Sequence, residues 1–159
     1  MGIEIERKFL VVDDAWRAAA TGKAYRQGYL CNRVDANVRV RTDGNAAWLT
    51  IKGQSVGMTR PEFEYPLPLA DAEALLLLCQ QPLIEKTRYC IEHAGLTWEV
   101  DVFGGENAGL VLAEVELQDA AQVIDIPPWA GAEVTADPRY YNACLQLKPY
   151  RLWSGQAGV

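Results

Sequence analysis

The chain opens MGIEIERKFLV, which puts Glu4, Glu6 and Lys8 at every second position with Ile3, Ile5, Arg7 and Phe9 between and beside them. A repeat of two is the mark of a β-strand, in which alternate side chains share one face. The same alternation returns along the chain: Arg39 and Arg41 flank Val40, Lys52 follows Ile51, Glu62 and Glu64 flank Phe63, and Lys86 and Arg88 flank Thr87. Glu99 and Asp101 then flank Val100, and Glu114 and Glu116 flank Val115. A strand wetted on one side also alternates charged with apolar residues, so any single segment is explained by exposure. The set asks for more. Like charges two residues apart lie only about 6.5–7 Å from one another along a strand, and a solvated face has no need of them. Periodicity leaves two readings open: an ordinary wet face, or an inverted sheet with charge inside and apolar residues covered from outside by helices.

The alternating segments run roughly over 3–11, 25–32, 36–42, 47–53, 60–66, 83–92, 96–103 and 110–118. Asp43-Gly44 is a hairpin signal, and EHAGLTW and FGGENAG carry further glycine turns. Asp13 or Asp14 can cap a short helix through Ala20, and LADAEALLLLCQ reads as a second helix stopped before Pro82. After residue 118 the pattern is irregular; Asp137-Pro138 starts a last helix and Pro149 stops it. Eight strands with mostly short connections predict a mainly β fold, an eight-stranded antiparallel β-barrel or curled sheet with a few helices outside. No linker or repeat divides the 159 residues, so one domain over 1–159 is expected.

The longest apolar run, Ala74 to Cys79, is too short to span a bilayer, and no basic-then-apolar leader opens the chain. Cys31, Cys79, Cys90 and Cys144 are scattered and His93 is the sole histidine, which argues against a zinc site or a histidine-based nucleophile. A reducing cytoplasm is the expected compartment. The net charge of -6, with no basic stripe, counts against nucleic acid as a partner. Trp16, Trp98 and Trp129 read as core or cover, and His93 as a solvent-exposed loop residue. Arg139 and Lys148 are secondary candidates for a tunnel mouth.

Carboxylates suit a hard cation such as Mg²⁺ or Mn²⁺, and Arg and Lys clusters suit phosphate. Together, without His or Cys chemistry, they suggest a metal–polyphosphate site, where phosphoryl transfer asks mainly for positioning and charge neutralisation. At this point the sequence resembles the CYTH, or triphosphate tunnel metalloenzyme, superfamily. The resemblance rests on E-x-E-x-K (Glu4, Glu6, Lys8), R-x-R (Arg39, Arg41), Lys52, E-x-E (Glu62, Glu64), K-x-R (Lys86, Arg88), Asp101, E-x-E (Glu114, Glu116) and the ending GAEVTADPRYYNACL. It covers nearly the whole chain in order.

The resemblance implies a barrel whose tunnel holds a linear triphosphate and divalent metal. Glu4, Glu6, Glu114 and Glu116 would be the metal carboxylates, and Lys8, Arg39, Arg41, Lys52, Lys86 and Arg88 the phosphate ligands. Lys8, Arg39, Lys52 and Asp101 are expected to carry catalysis. Glu62, Glu64 and Asp101 are left as second-metal ligands, water positioners or holders of the basic residues, and Tyr29 as a lumen or packing residue. Hydrolysis of inorganic tripolyphosphate to pyrophosphate and phosphate is the leading expectation. A class IV adenylyl cyclase, a thiamine or nucleoside triphosphatase, and a non-catalytic polyphosphate-binding module are the alternatives; the His-Phe usual in such cyclases is absent from QGYLCNRVDANVRVR. A homodimer is expected by analogy with barrels of this type.

Overall fold

The computed structural model describes residues 2–153. Eight strands lie side by side in the order β5 (Thr59–Leu67), β4 (Ala47–Gly53), β3 (Ala36–Thr42), β2 (Gly22–Asn32), β6 (Ile84–His93), β7 (Leu96–Phe103), β8 (Val111–Glu116) and β1 (Gly2–Val11). Pairing of β1 with β5, Gly2 opposite Glu62 through Ile5 opposite Thr59, closes the ring into an antiparallel barrel. Further along the same strand, Phe9 and Val11 receive a ninth short strand, β9 (Ala130–Glu133). Two meanders, β2–β5 and β6–β8, are joined by helix α1 (Leu69–Leu78). Their turns follow local chemistry. Asp43 Oδ1 accepts from the Asn45 and Ala46 amides while Gly44 takes φ 92°, and Ala94-Gly95, both at positive φ, make the two-residue turn between β6 and β7.

The sheet is inverted. Phe9, Trp98, Val100, Ala113 and Val115 sit on its outer face in one core cluster with Trp16, Leu117 and Trp129. Trp98 and Trp129 meet edge to face at 5.8 Å. Part of this cover departs from expectation. The segment after β1 forms only a 3-10 turn, Arg17–Ala19, because the eight residues from Asp13 to Ala20 must drop Trp16 onto the barrel wall and re-enter a strand almost at once. Asp13 accepts from the Ala15 amide and does not cap a helix. The cover here is therefore a turn and the segment after β8, whereas α1 alone covers the β2–β4 face, through Ala72 and Leu76 against Val40 and Ala47. Ile3, Phe63 and Tyr65 remain uncovered.

The C-terminal region also differs from a single helix. Pro138–Tyr140 is a 3-10 turn, Tyr141 is extended, and α2 spans only Asn142–Leu147. The break lets Tyr140 and Leu145 pack on inward-facing Tyr29, Ile84, Phe103, Leu110 and Leu112, which plugs that side of the lumen with apolar side chains. His93 is not the exposed loop residue expected: it ends β6 opposite Leu96, half-buried, 3.4 Å from Asp125. All four cysteines are free, and among the described residues no helix is long and apolar enough to cross a membrane.

Candidate active site

Inward phase of the strands gathers the sequence-predicted charges on one cavity of about 210 Å³. Glu4, Glu6, Lys8, Arg39, Arg41, Lys52, Glu62, Glu64, Lys86, Arg88, Glu114 and Glu116 all stand on its wall. Register explains the neighbours. Glu6 lies opposite Glu116 and Lys8 opposite Glu114 on the β1–β8 ladder, Lys52 opposite Glu62 on β4–β5, and Arg88 opposite Asp101 on β6–β7.

Asp101 is the exception to the cavity lining. It is 0% exposed, and its oxygens accept from Arg88 Nε (2.7 Å), Arg88 Nη2 (2.8 Å) and Lys86 Nζ (2.9 Å). Against the burial that would raise it, Lys86 and Arg88 hold this carboxylate below its ordinary value. Of the roles open to Asp101, this geometry fits that of holder for two basic residues, its fork being filled by Arg88.

The remaining acids are less well matched. Lys52 Nζ donates to both Glu4 oxygens at 3.0 and 3.3 Å and lies 3.3 Å from Glu62. Lys8 lies 3.7 Å from Glu114 and donates at 3.1 Å to the Tyr140 carbonyl. Burial, reinforced by Glu114 and Glu4, pushes Glu6 well above the usual carboxylate range. Glu114, against its own burial, is held well below that range by Lys8, Arg88 and Lys86. Burial and Glu4 likewise raise Glu62. Among the described residues no three acids converge on a single point. The donor set is all oxygen, as a hard cation requires, and Glu6 with Glu114 crowds like charge that a cation would relieve. The residues fit a divalent ion, provided that Lys52 and Lys8 release the carboxylates they now hold.

On the basic side, Arg39 Nη2 donates to Thr50 Oγ1 at 3.1 Å, and Thr50 donates to Glu64 at 2.7 Å. The Nε atoms of Arg39 and Arg41 are buried without a partner. Arg41 is stacked between Tyr25 and Trp48, 5.1 and 5.2 Å from their ring centres. Burial, with Arg39 and Arg88 nearby, lowers the Arg41 guanidinium from its ordinary value. Unspent donors in a buried cationic wall are what a polyanion would satisfy.

Tyr29 serves both expected purposes, on the cavity wall and in the apolar plug. Arg139 and Lys148 are not brought to the cavity: Arg139 is exposed and paired with Asp137 at 2.7 Å, and Lys148 is exposed. Sequence reasoning missed Asn37, Arg60, Thr135, Tyr141 and Asn142, which also line the lumen. The period of two carries a signal for Asn37 and Arg60, which share phase with Arg39 and with Glu62. None exists for the other three, which lie outside the strands.

Comparison with known proteins agrees with this geometry. The sequence model of the CYTH domain matches residues 2–141. An inorganic triphosphatase of Acetivibrio thermocellus is 50% identical over 152 residues, covering 95% of this chain and 97% of that one. One from Nitrosomonas europaea is 40% identical over 151 residues, covering 91% and 97%. A crystal structure of an inorganic triphosphatase superposes with a TM-score of 0.65 at 37% identity, covering 91% of this chain and 94% of the other.

Proposed function

Since the chain belongs to the CYTH domain family, we propose that its lumen binds a linear triphosphate and hydrolyses it with the help of a divalent cation, inorganic tripolyphosphate being the preferred substrate. The observation that carries this reading is the cavity itself: seven basic side chains face six carboxylates around about 210 Å³, closed on one side by an apolar plug. That volume is below the roughly 300–1,000 Å³ of pockets that hold drug-sized ligands, so it favours a compact phosphate chain over one bearing a base or thiamine.

A divalent ion, Mg²⁺ or Mn²⁺, held by Glu4, Glu6, Glu114 and Glu116 would supply Lewis-acid charge and an activated water. The protein's own part is positional. Arg39 and Arg41 offer forked donors to phosphate oxygens, and Lys8, Lys52, Lys86 and Arg88 spread positive charge along the chain of phosphates. Lys8 and Lys52 are engaged by carboxylates in the free protein, so they can turn to phosphate when those carboxylates take a cation. Asp101 holds Lys86 and Arg88 facing the lumen. Glu62 and Glu64 hold Lys52 and the Thr50–Arg39 link.

Phosphate release from tripolyphosphate, ATP and thiamine triphosphate, each with Mg²⁺ and with Mn²⁺, tests the reading. Tripolyphosphate should be turned over fastest. Faster formation of cyclic AMP from ATP would replace it with a cyclase. Glu116→Ala should lose turnover and still fold; a protein that binds tripolyphosphate without any turnover is a binding module.

A further inference from the structure

Asn142 stands on the cavity wall at the start of α2. Its Oδ1 accepts from Lys86 Nζ at 3.2 Å and from Gln27 Nε2 at 3.2 Å. An ammonium group can only donate, so the amide atom that meets Lys86 has to be the oxygen. The orientation of this amide is thereby fixed, and its NH₂ end is turned away from both partners. Among the described residues, no protein acceptor takes a hydrogen from Asn142 Nδ2. Gln27, fully buried behind it, braces the arrangement from within the wall.

We propose that Asn142 is a substrate-binding residue whose Nδ2 donates to a phosphate oxygen of the triphosphate, while its oxygen keeps Lys86 aimed at the same ligand. The inference rests on the reading of the lumen as a triphosphate site and adds a residue outside the barrel strands to it. The two ends of one amide serve the two needs of a phosphate pocket: an acceptor to orient a lysine, and a directional neutral donor beside it. The neighbouring Tyr140 carbonyl does the first job for Lys8 at 3.1 Å. The C-terminal segment thus positions two lysines and contributes a ligand contact.

Asn142→Asp tests this, because it preserves shape and the oxygen that receives Lys86 and Gln27 but replaces the donor with an anionic acceptor. Wild type and variant are compared by tripolyphosphate hydrolysis with Mg²⁺ and by calorimetric titration with tripolyphosphate. KM and Kd should both rise by roughly tenfold or more, the size expected for losing a hydrogen bond to a charged group. A KM that keeps its wild-type value overturns the proposal. Because the new carboxylate would repel a polyanion even if Asn142 only held Lys86, the Asn142 side-chain amide signals of the wild-type protein are also followed by NMR during titration with tripolyphosphate. A shift that saturates with binding supports the contact, and signals that stay in place overturn it. A wild-type protein that neither binds nor hydrolyses tripolyphosphate removes the functional reading first, in an arm that involves no variant.

Discussion

Two stretches of one lumen wall treat buried charge in opposite ways. Around Asp101, every oxygen of the acid is met by Arg88 or Lys86 at 2.7 to 2.9 Å, in a site closed to solvent. Around Glu6, like charges crowd: Glu114 and Glu4 lie close enough to add to the burial that raises its affinity for a proton. On the same cavity, Arg39 and Arg41 keep buried Nε donors unpaired. Breaking a matched buried pair leaves charge stranded, whereas an unmatched cluster is completed by something that binds. The first stretch has the make-up of a framework and the second, under the proposed function, that of a receptor.

The largest effect should come from the framework. Asp101→Ala strands Lys86 and Arg88 without their shared counter-charge and should cost about 3–5 kcal/mol of stability, the range for breaking a buried pair from one side. Urea unfolding monitored by tryptophan fluorescence measures it. A loss below about 1 kcal/mol, the scale of an exposed pair, would erase the distinction between the two stretches.

The receptor side predicts a smaller change of opposite sign. Glu6→Gln removes a carboxyl that burial, Glu114 and Glu4 make costly to ionise, and at neutral pH it should stabilise the protein in the presence of a chelator by about 1 kcal/mol, the scale of a like-charge contact at about 4 Å in a water-like medium. It should also abolish the rise in melting temperature that Mg²⁺ or Mn²⁺ gives the wild type. A variant still stabilised by the metal as strongly as wild type would move the cation site away from Glu6.

How far these two stretches could be read in the sequence follows from what periodicity encodes. Alternation fixes which residues of one strand share a face, so Glu4, Glu6 and Lys8, Arg39 and Arg41, and Lys86 and Arg88 were each legible as a group, while their gathering on one lumen was what the resemblance to the CYTH superfamily implied. Alternation does not encode register. That Arg88 lies opposite Asp101, and so satisfies it, while Glu6 lies opposite another acid, Glu116, is a property of cross-strand pairing. The strands and hairpins were legible from alternation and from turn signals at Asp43-Gly44 and Ala94-Gly95, whereas closure into a ring rather than a curled sheet was what the resemblance implied. The C-terminal segment was not. Tyr140, Asn142 and Leu145 are placed by packing across the barrel end, at sequence distances of about a hundred residues from Gln27 and Tyr29, and no local repeat records that.

The least effect, and the sharpest on the boundary between the stretches, concerns Lys86, which belongs to both: it bonds Asp101 in the framework and lines the cavity. Burial, to which Arg88 adds repulsion, pulls its ammonium down to about 8 despite the attraction of Asp101. Above that pH the lysine loses its proton and a phosphate contact with it, so kcat/KM for tripolyphosphate should fall by roughly a factor of four at pH 8.5, as free-enzyme titration dictates. Stability should move the other way. An unfolded lysine titrates near pH ~10.4, so between about 8 and about 10 the unfolded chain binds more protons and the folded state gains as pH rises. Opposite slopes in one pH window cannot come from alkaline unfolding. Lys86→Arg, which keeps its charge throughout, should flatten both. If its kcat/KM declines in parallel with the wild type, the titrating group lies elsewhere and Lys86 belongs to the framework alone.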